Sequence, residues 1–233
     1  MPTSFNALAT DYDGTLATDG RVLPDTLDAL RRLKATGRRL IMVTGRELPE
    51  LQTVCPELAL FDLAVVENGA LLYVPADDRE VLLTNPAPRE LVNELEARGV
   101  ERLSVGRAII ATWEPHEATV LDAIRELGLE YHVIFNKGAV MVLPSGVTKA
   151  TGLTAALELL EITAAETIGI GDAENDHAFL QHCGFGVAVA NAIPALKERV
   201  DWVTAGARGA GVIELVDRVL AGDLDIAAVH RKE

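Results

Sequence analysis

"LATDYDGTLA" (residues 8–17) joins an apolar run to a pair of carboxylates. Asp11 and Asp13 stand at the end of the run, and Gly14 and Thr15 follow them. Like charges this close repel one another, and the end of a buried strand offers them little solvent. We therefore expect a positively charged group beside these two side chains.

The composition describes an acidic chain with a large core. Its 233 residues suit one large domain, or one domain that carries a smaller inserted one. Hydrophobic residues make up 49%, which is enough for a packed core and argues against disorder. The formal net charge of -14 disfavours nucleic acid and anionic membranes as partners. A small anionic substrate is still allowed if a metal or local cations neutralise the site.

Signals for targeting, membrane insertion and redox chemistry are weak. The first residues show no basic stretch followed by an apolar one, so we expect no signal peptide. Polar residues interrupt the uncharged stretch 177–196, which argues against a membrane span. Cys55 and Cys183 have no metal-ligand spacing and are expected to be small buried hydrophobic residues. A cytoplasmic protein is the expectation, and the oligomeric state is left open.

Short apolar runs alternate with amphipathic helical patterns. Leu27, Leu30 and Leu33 recur at helical spacing, with Pro24 near the start of that helix and Gly37 at its end. Near-continuous apolar strands separated by helices are typical of a parallel sheet covered on both faces. Strands are predicted around residues 5–10, 38–45, 63–69, 166–176, 184–192 and 201–204, and later helices around 150–161, 175–182, 192–200 and 211–221.

The middle of the chain follows another order. It predicts a strand at 81–84, a helix at 89–98, strands within 102–112, a helix at 116–127 and strands at 130–135 and 139–143, the last two joined by a hairpin at Asn136–Gly138. The predicted class is α/β, with a Rossmann-like parallel sheet core, helices on both faces and a small inserted α+β cap domain. The core is predicted from residues 1–78 and 146–233, and the cap from 79–145.

Four polar clusters occur where predicted strands end or helices begin, and the carboxyl ends of parallel strands form one ligand crevice. Each cluster alone is compatible with an ordinary turn or loop. Their joint occurrence at strand-to-helix junctions indicates one shared site. The clusters are Asp11 to Thr15, then Thr44-Gly45-Arg46, then Lys149, and finally Asp172, Glu174, Asn175 and Asp176.

The chemistry of these residue types favours phosphoryl transfer. Carboxylates gathered at one edge need a counter-cation, and oxygen-only ligands favour a hard ion such as Mg²⁺. The hydroxyl of Thr44 and the ammonium of Lys149 would then hold phosphoryl oxygens. A carboxylate in line with the phosphorus can act as the nucleophile, and the acid two residues on can protonate the leaving oxygen.

The joint pattern resembles the haloacid-dehalogenase-like (HAD) hydrolase superfamily. The resemblance rests on DYDGT, VTGR, SGVTKATGL and GIGDAENDHAFL, and it covers nearly the whole chain. The chain is especially similar to the Cof-like phosphatase branch, which includes sugar-phosphate and phosphoglycolate phosphatases. In that branch a cap is inserted between the second and third motifs.

The resemblance implies roles by motif position. Asp11 would be the nucleophile that forms an aspartyl-phosphate, and Asp13 would be the general acid and then the general base. Thr44 and Lys149 would hold the phosphoryl oxygens. The implied Mg²⁺ site comprises Asp11, the backbone carbonyl of Asp13, Asp172 as a direct ligand, and Asp176 in support of the metal waters, of Lys149 or of both.

Further residues are implied to contact the substrate or to support the site. Tyr12 departs from the Leu, Met or Phe usual in the branch, and its side chain is expected to point away from the two acids. Glu174 is another departure, interpreted as an acid at a helix N-terminus or an outer ligand. The substrate-binding residues are predicted to be Thr44, Gly45, Arg46, Lys149, Asn175 and Lys137, with Asn68 and Asn191 in support and Arg107, Glu114, His116 and Asn136 as further cap candidates.

The sequence thus predicts a Mg²⁺-dependent phosphatase that hydrolyses a small phosphorylated metabolite, either a sugar phosphate or a phosphoglycolate-like compound. A phosphomutase with the same Asp11 nucleophile is an alternative, and it would return the phosphoryl group to its product. A non-catalytic phospho-aspartate switch or binding module is another, although such domains lack the cap. A P-loop nucleotidase is excluded because the G-x-x-x-x-G-K-[ST] motif is missing.

Overall fold

A computed structural model describes residues 5–136 and 138–224. Its main feature is an eight-stranded sheet in the order β14-β13-β12-β1-β4-β5-β6-β7. The strands from β14 to β5 pair in parallel, whereas β6 pairs antiparallel both with β5 and with the edge strand β7. The strands of this sheet are β1 (Ala7–Thr10), β4 (Arg39–Val43), β5 (Leu63–Val66), β6 (Leu71–Val74), β7 (Arg79–Leu82), β12 (Thr167–Gly171), β13 (Phe185–Ala188) and β14 (Trp202–Val203).

Helices flank this sheet and bury its apolar strands. The helix α1 begins at a proline, which suits the first turn, and ends in basic residues that complement the helix dipole. It packs against α8, while α5 packs against α6 and over β5. The predicted α/β class is confirmed. These helices are α1 (Pro24–Lys34), α2 (Leu48–Val54), α5 (Lys149–Leu160), α6 (His177–His182), α7 (Pro194–Lys197) and α8 (Gly209–Ala221).

Residues 83–144, here named the inserted segment, form a second layer with its own small core. Its antiparallel sheet has the order β10-β11-β9-β8, and its two helices pack on one face around Leu91, Val120 and Val142. The pairing of Asn136 with Ala139 confirms the predicted hairpin, although Lys137 at its tip lies outside the described residues. The elements are α3 (Arg89–Ala97), β8 (Ser104–Val105), β9 (Ile110–Trp113), α4 (Glu117–Glu126), β10 (Tyr131–Asn136) and β11 (Ala139–Pro144).

The strand β7 falls within the predicted cap range but pairs with the large sheet. This strand pairs with β6 in register Leu71↔Leu82, so it belongs to the edge of the large sheet and not to the inserted segment. The physical reason is the turn between the two strands. Asp78 adopts a left-handed conformation (φ 49°), and its carboxylate accepts a hydrogen bond from the Tyr73 hydroxyl, so the chain folds straight back on β6.

The topology brings distant segments to one edge. Strand β1 lies between β4 and β12, and all three are parallel, so their carboxyl ends lie side by side. A short hairpin, β2 (Ala17–Thr18) with β3 (Arg21–Val22), follows β1 at this edge. None of the described helices is long and apolar enough to cross a lipid bilayer.

Candidate active site

Three buried carboxylates meet at the carboxyl edge of the large sheet. Asp11 follows β1, Asp172 follows β12, and Asp176 lies in the 3₁₀ turn before α6. One oxygen from each lies within 4.8 Å of the others, and the three residues are 4%, 5% and 0% exposed. So much negative charge away from water is unstable without a partner cation.

Lys149 supplies one positive charge within this cluster. Its Nζ lies 2.6 Å from Asp11 Oδ1 and 2.6 Å from Asp176 Oδ1, and the residue is 3% exposed. Lys149 is the first residue of α5, where the helix dipole disfavours a cation, so the two carboxylates must outweigh that dipole. The helix start itself is fixed by Thr148, whose side chain accepts a hydrogen bond from the backbone N–H of Thr151.

The charges within the cluster shift the protonation equilibria of its members. Burial raises the pKa of Asp11 to about 8, although the attraction of Lys149 opposes the rise. Burial disfavours the charged form of Lys149, but the neighbouring carboxylates of Asp11 and Asp176 outweigh it and raise its pKa above the ordinary value. One ammonium therefore does not balance three acids, and a further cation beside Asp11 would favour its ionised form.

The donor set and the local packing suit a hard divalent cation. All three ligand groups offer oxygen, which is the chemistry that Mg²⁺ prefers. Gly14 has φ +95°, and a Cβ there would lie 2.8 Å from Asp172 Cγ, so only glycine lets the backbone pass this close. Thr15 donates to Asp172 Oδ1 at 3.2 Å, and Asp176 Oδ2 accepts the N–H groups of residues 172 and 173, which fixes both carboxylates.

Asp13 stands apart from this cluster and is held by Arg46. The guanidinium donates from Nε to Asp13 Oδ2 at 2.6 Å and from Nη2 to Asp13 Oδ1 at 2.8 Å. Arg46 also pairs with Glu50, and its guanidinium carbon lies 5.6 Å from the centre of the Tyr12 ring. The structure thus places Arg46, predicted to bind substrate, against a neighbouring acid. The side chain of Asp13 is not a member of the carboxylate group formed by residues 11, 172 and 176.

Tyr12 points into the core, as the sequence predicts. It is fully buried, and its hydroxyl lies within hydrogen-bond distance of two backbone carbonyl oxygens, those of Gly20 at 3.0 Å and Val54 at 3.1 Å. The hydroxyl therefore joins the turn of the β2–β3 hairpin to the end of α2. Its side chain does not reach the acids on either side of it in sequence.

The segment after β4 forms the next wall of the site. Thr44 is 1% exposed, and its hydroxyl oxygen accepts the backbone N–H of Arg46. Gly45 leaves room for the Asn68 amide, which a Cβ would approach to 3.0 Å. Asn175 donates to Asn68 Oδ1 at 3.0 Å, so the structure joins three of the predicted segments here.

A cavity of about 610 Å³ lies between this site and the inserted segment. Its wall on the side of the large sheet is polar, and its opposite wall is largely apolar, with Ile109, Trp113 and Met141. Alternation along β9 puts Ala111 and Trp113 on one face, and this period of two is the sequence signal that marks them as wall residues. Ser104, which lines the cavity from the inserted segment, donates to Glu47 Oε1 at 2.6 Å across its rim.

Several predicted contacts of the cap lie elsewhere. Arg107 pairs with Glu80 of β7, and His116 Nε2 accepts the backbone N–H of Glu101. Neither these two nor Glu114 is among the residues that line the cavity. The side chain of Asn136 and the whole of Lys137 lie outside the described residues. Asn191, predicted as a supporting residue, donates to the backbone carbonyl of Gly14 at 2.8 Å.

A family model for haloacid dehalogenase-like hydrolases matches residues 8–102 and 108–216. The chain belongs to the haloacid dehalogenase-like hydrolases. The match spans both the site and most of the inserted segment, and it confirms the resemblance drawn from the four motifs.

Curated relatives of this hydrolase cover almost its full length. A phosphoglycolate phosphatase of Methanothermobacter thermautotrophicus is 33% identical over 222 residues, which is 93% of this chain and 99% of the relative. Phosphoglycolate phosphatase 2 of Saccharolobus solfataricus is 31% identical over 225 residues, which is 93% of each chain. A crystal structure of a haloacid dehalogenase-like hydrolase from Bacteroides thetaiotaomicron shares the fold, with a TM-score of 0.79, 21% identity and coverage of 93% of this chain and 100% of that one.

Proposed function

We propose that this hydrolase is a Mg²⁺-dependent phosphatase that cleaves a small phosphorylated metabolite through an aspartyl-phosphate. The observation that carries the proposal is the buried cluster in which Lys149 contacts Asp11 and Asp176 and three carboxylates lie within 4.8 Å. A nucleophilic carboxylate, a cation and a set of metal-ligating oxygens are the parts that phosphoryl transfer requires. Membership of the hydrolase family and the names of its relatives support the same activity.

Asp11, Asp172 and the backbone carbonyl of Asp13 would hold the metal, and Asp176 would support it from behind. When bound, Mg²⁺ would supply positive charge to the phosphoryl oxygens and keep Asp11 ionised. Asp176 already uses one oxygen for Lys149 and the other for two backbone N–H groups. We therefore assign Asp176 two roles: it contributes negative charge, and it positions both Lys149 and the backbone at Asp172.

The chain's own groups would carry out two chemical steps. The Asp11 carboxylate attacks the phosphorus while the bond to the leaving oxygen breaks, and Asp13 gives that oxygen a proton. Asp13 then takes a proton from a water molecule that attacks the aspartyl-phosphate, which releases inorganic phosphate and restores Asp11. Lys149 and the Thr44 hydroxyl, which keeps its own proton to donate, would hold the phosphoryl oxygens.

Arg46 is assigned a role in holding Asp13. Its two hydrogen bonds fix the plane of the carboxylate beside the site. The hydrogen bonds to Asp13 also raise the pKa of Arg46 above its ordinary value, so the guanidinium stays charged. Because both oxygens of Asp13 accept hydrogen bonds from Arg46 here, Asp13 would pass a proton to or from the substrate only after this pair opens.

The inserted segment is proposed to act as the cap of this enzyme. Its apolar wall faces the carboxylate cluster across the cavity and would contact the leaving group. Phosphoglycolate is the first substrate to test, because two relatives that span over nine-tenths of this chain carry that name. A sugar phosphate is the second, since a cavity of about 610 Å³ exceeds the volume of a two-carbon acid.

The test is the release of inorganic phosphate from phosphoglycolate and a panel of sugar phosphates, with Mg²⁺ or with EDTA. Asp11→Asn removes the nucleophile and keeps the side-chain volume, and Asp28→Asn, an exposed residue of α1, is the matched control. We expect release that needs Mg²⁺, survives in Asp28→Asn and is lost in Asp11→Asn. Absence of release from every ester by a folded, Mg²⁺-bound protein would refute the proposal, and return of the phosphoryl group to a product would indicate a mutase.

A further inference from the structure

Glu67 is a buried acid that the proposed mechanism does not use. It follows β5 in the large sheet and is 1% exposed. Its carboxylate accepts three backbone N–H groups from the turn between β8 and β9 of the inserted segment. The donors are Arg107 at 2.8 Å, Ala108 at 2.9 Å and Ile109 at 3.2 Å.

The backbone on both sides is shaped for this contact. Glu67, Asn68 and Gly69 have φ of 51°, 54° and 106°, which turns the carboxylate toward the inserted segment. Across the contact, a Cβ on Gly106 would lie 2.7 Å from Glu67 Cδ, so glycine is the residue that admits the carboxylate. Charge-assisted hydrogen bonds of this kind are strong where water is excluded.

The same turn also holds the segment that follows β4. Glu67 donates its backbone N–H to the carbonyl of Arg46 at 2.9 Å, and Asn68 donates to the carbonyl of Thr44 at 3.0 Å. The side chain of Glu67 therefore contacts the inserted segment, while its backbone N–H contacts the loop after β4, which holds the proposed general acid. Ile109, the third donor, lies in the cavity wall and leads into β9, which carries Trp113.

We infer that Glu67 is a positioning residue that fixes the inserted segment over the active site and so sets the affinity for the leaving group. The inference rests on the proposed function. Without the carboxylate, the turn at residues 106–109 loses its three acceptors, and the apolar wall moves away from the carboxylate cluster. Asp13 stays in place because the backbone bonds from residues 67 and 68 to the β4 loop are unchanged, and Asp11 and Lys149 keep the ion pair between them.

Glu67→Gln is the direct test, and Glu80→Gln is its control. Glutamine has the same shape, but it places an NH₂ group where one carboxylate oxygen accepts. Glu80→Gln weakens the ion pair between Glu80 and Arg107, another contact of the same turn with the large sheet, whose arginine is well exposed. In Glu67→Gln we expect KM for the best phosphomonoester to rise at least tenfold and kcat to change less than threefold, whereas Glu80→Gln keeps both within twofold.

A second readout does not depend on catalysis. Hydrogen exchange of the amides of Arg107, Ala108 and Ile109 should accelerate at least tenfold in Glu67→Gln and not in Glu80→Gln. Acrylamide quenching of Trp113, which is 40% exposed, should rise in parallel in a Trp202→Phe background, because more of the ring becomes accessible when the cavity wall moves away. If the wild-type protein releases no phosphate, the proposed function fails, while these two measurements still decide whether Glu67 holds the inserted segment in place.

Two results would overturn the inference. One is a folded Glu67→Gln protein with unchanged amide exchange. The other is faster exchange with unchanged KM, which would make Glu67 a structural residue alone. If Glu67→Gln does not fold, Gly106→Ala displaces the turn from the opposite side and must give the same rise in exchange and in KM.

Discussion

Replacing Lys149 by methionine tests whether the site is a balance of buried charges. The substitution keeps an unbranched side chain, one atom shorter, and removes two ion pairs of 2.6 Å, whose members have side-chain exposures of 2%, 6% and 0%. Removing one member of a buried pair typically costs about 3–5 kcal/mol, because the remaining charge stays buried without a partner. An unfolding midpoint shifts by about 2–4 °C per kcal/mol in a domain of this size, so the midpoint should fall by about 6–20 °C.

Urea unfolding in EDTA measures the full loss in the free energy of unfolding caused by Lys149→Met. Urea unfolding in Mg²⁺ measures how far a divalent cation replaces the lost ammonium. We expect the difference in the free energy of unfolding between wild type and Lys149→Met to narrow with Mg²⁺, since the ion binds the folded cluster only. Arg31→Ala is the control. It removes an ion pair to Asp28 of similar length, 2.7 Å, but with side chains 55% and 68% exposed, so its cost should stay within about 1 kcal/mol.

A double variant separates the cost of the unpaired buried charge from the other effects of replacing Lys149. Asp176→Asn keeps an oxygen for the backbone N–H groups of residues 172 and 173 and removes one negative charge. The loss in the free energy of unfolding of the double variant with Lys149→Met should be about 0.5–3 kcal/mol smaller than the sum of the losses of the two single variants. A Lys149→Met protein that loses less than about 1 kcal/mol in EDTA would refute this account of the cluster.

Three smaller changes test other contacts. Gly14→Ala should abolish Mg²⁺ binding measured by calorimetry, because the new Cβ would displace the Asp172 carboxylate and alanine rarely adopts a φ of +95°. Unchanged Mg²⁺ affinity would contradict the packing described. Gly152→Ala should cost about 1–3 kcal/mol in urea unfolding, since the new Cβ meets the Cα of Gly69 at 2.5 Å and backbone cannot yield easily; a neutral change would show that α5 shifts freely. Tyr12→Phe should cost about 1 kcal/mol of stability, because it removes the one hydroxyl proton shared between two carbonyl oxygens, and should leave kcat within about twofold. A large fall in kcat would assign the hydroxyl a part in the reaction.

The sequence predicts which residues come together in the site because most of them stand at the ends of predicted strands. Asp11, Thr44 and Asp172 each follow an apolar run, and parallel strands bring such positions to one edge whatever their distance in sequence. Lys149 was identifiable for another reason, since a cation at a helix start implies an anion nearby. The structure places it 2.6 Å from Asp11.

Other features could not be predicted in this way. Arg46 could reach either a substrate or Asp13, and no spacing rule decides between two acceptors within range of one long side chain. Glu67 was not singled out because its partners are backbone N–H groups, and every non-proline residue carries such a donor, so no residue type marks them. The pairing of β7 could not be predicted because a strand of the same composition can pair with the large sheet or start the inserted segment.

The position of β1 in the middle of the sheet has a consequence for how the protein is made. Thr15 and Asp172 touch across 157 residues of chain, and Asp11 and Lys149 across 138. During synthesis Asp11 leaves the ribosome long before Lys149, so these two residues cannot meet until 149 of the 233 residues, almost two-thirds of the chain, have been made. The whole inserted segment lies within that loop, and the entropy of closing a loop grows only with the logarithm of its length, about 0.6 kcal/mol per doubling. A lineage can therefore lengthen, shorten or exchange this segment at small cost to the closure that assembles the candidate active site.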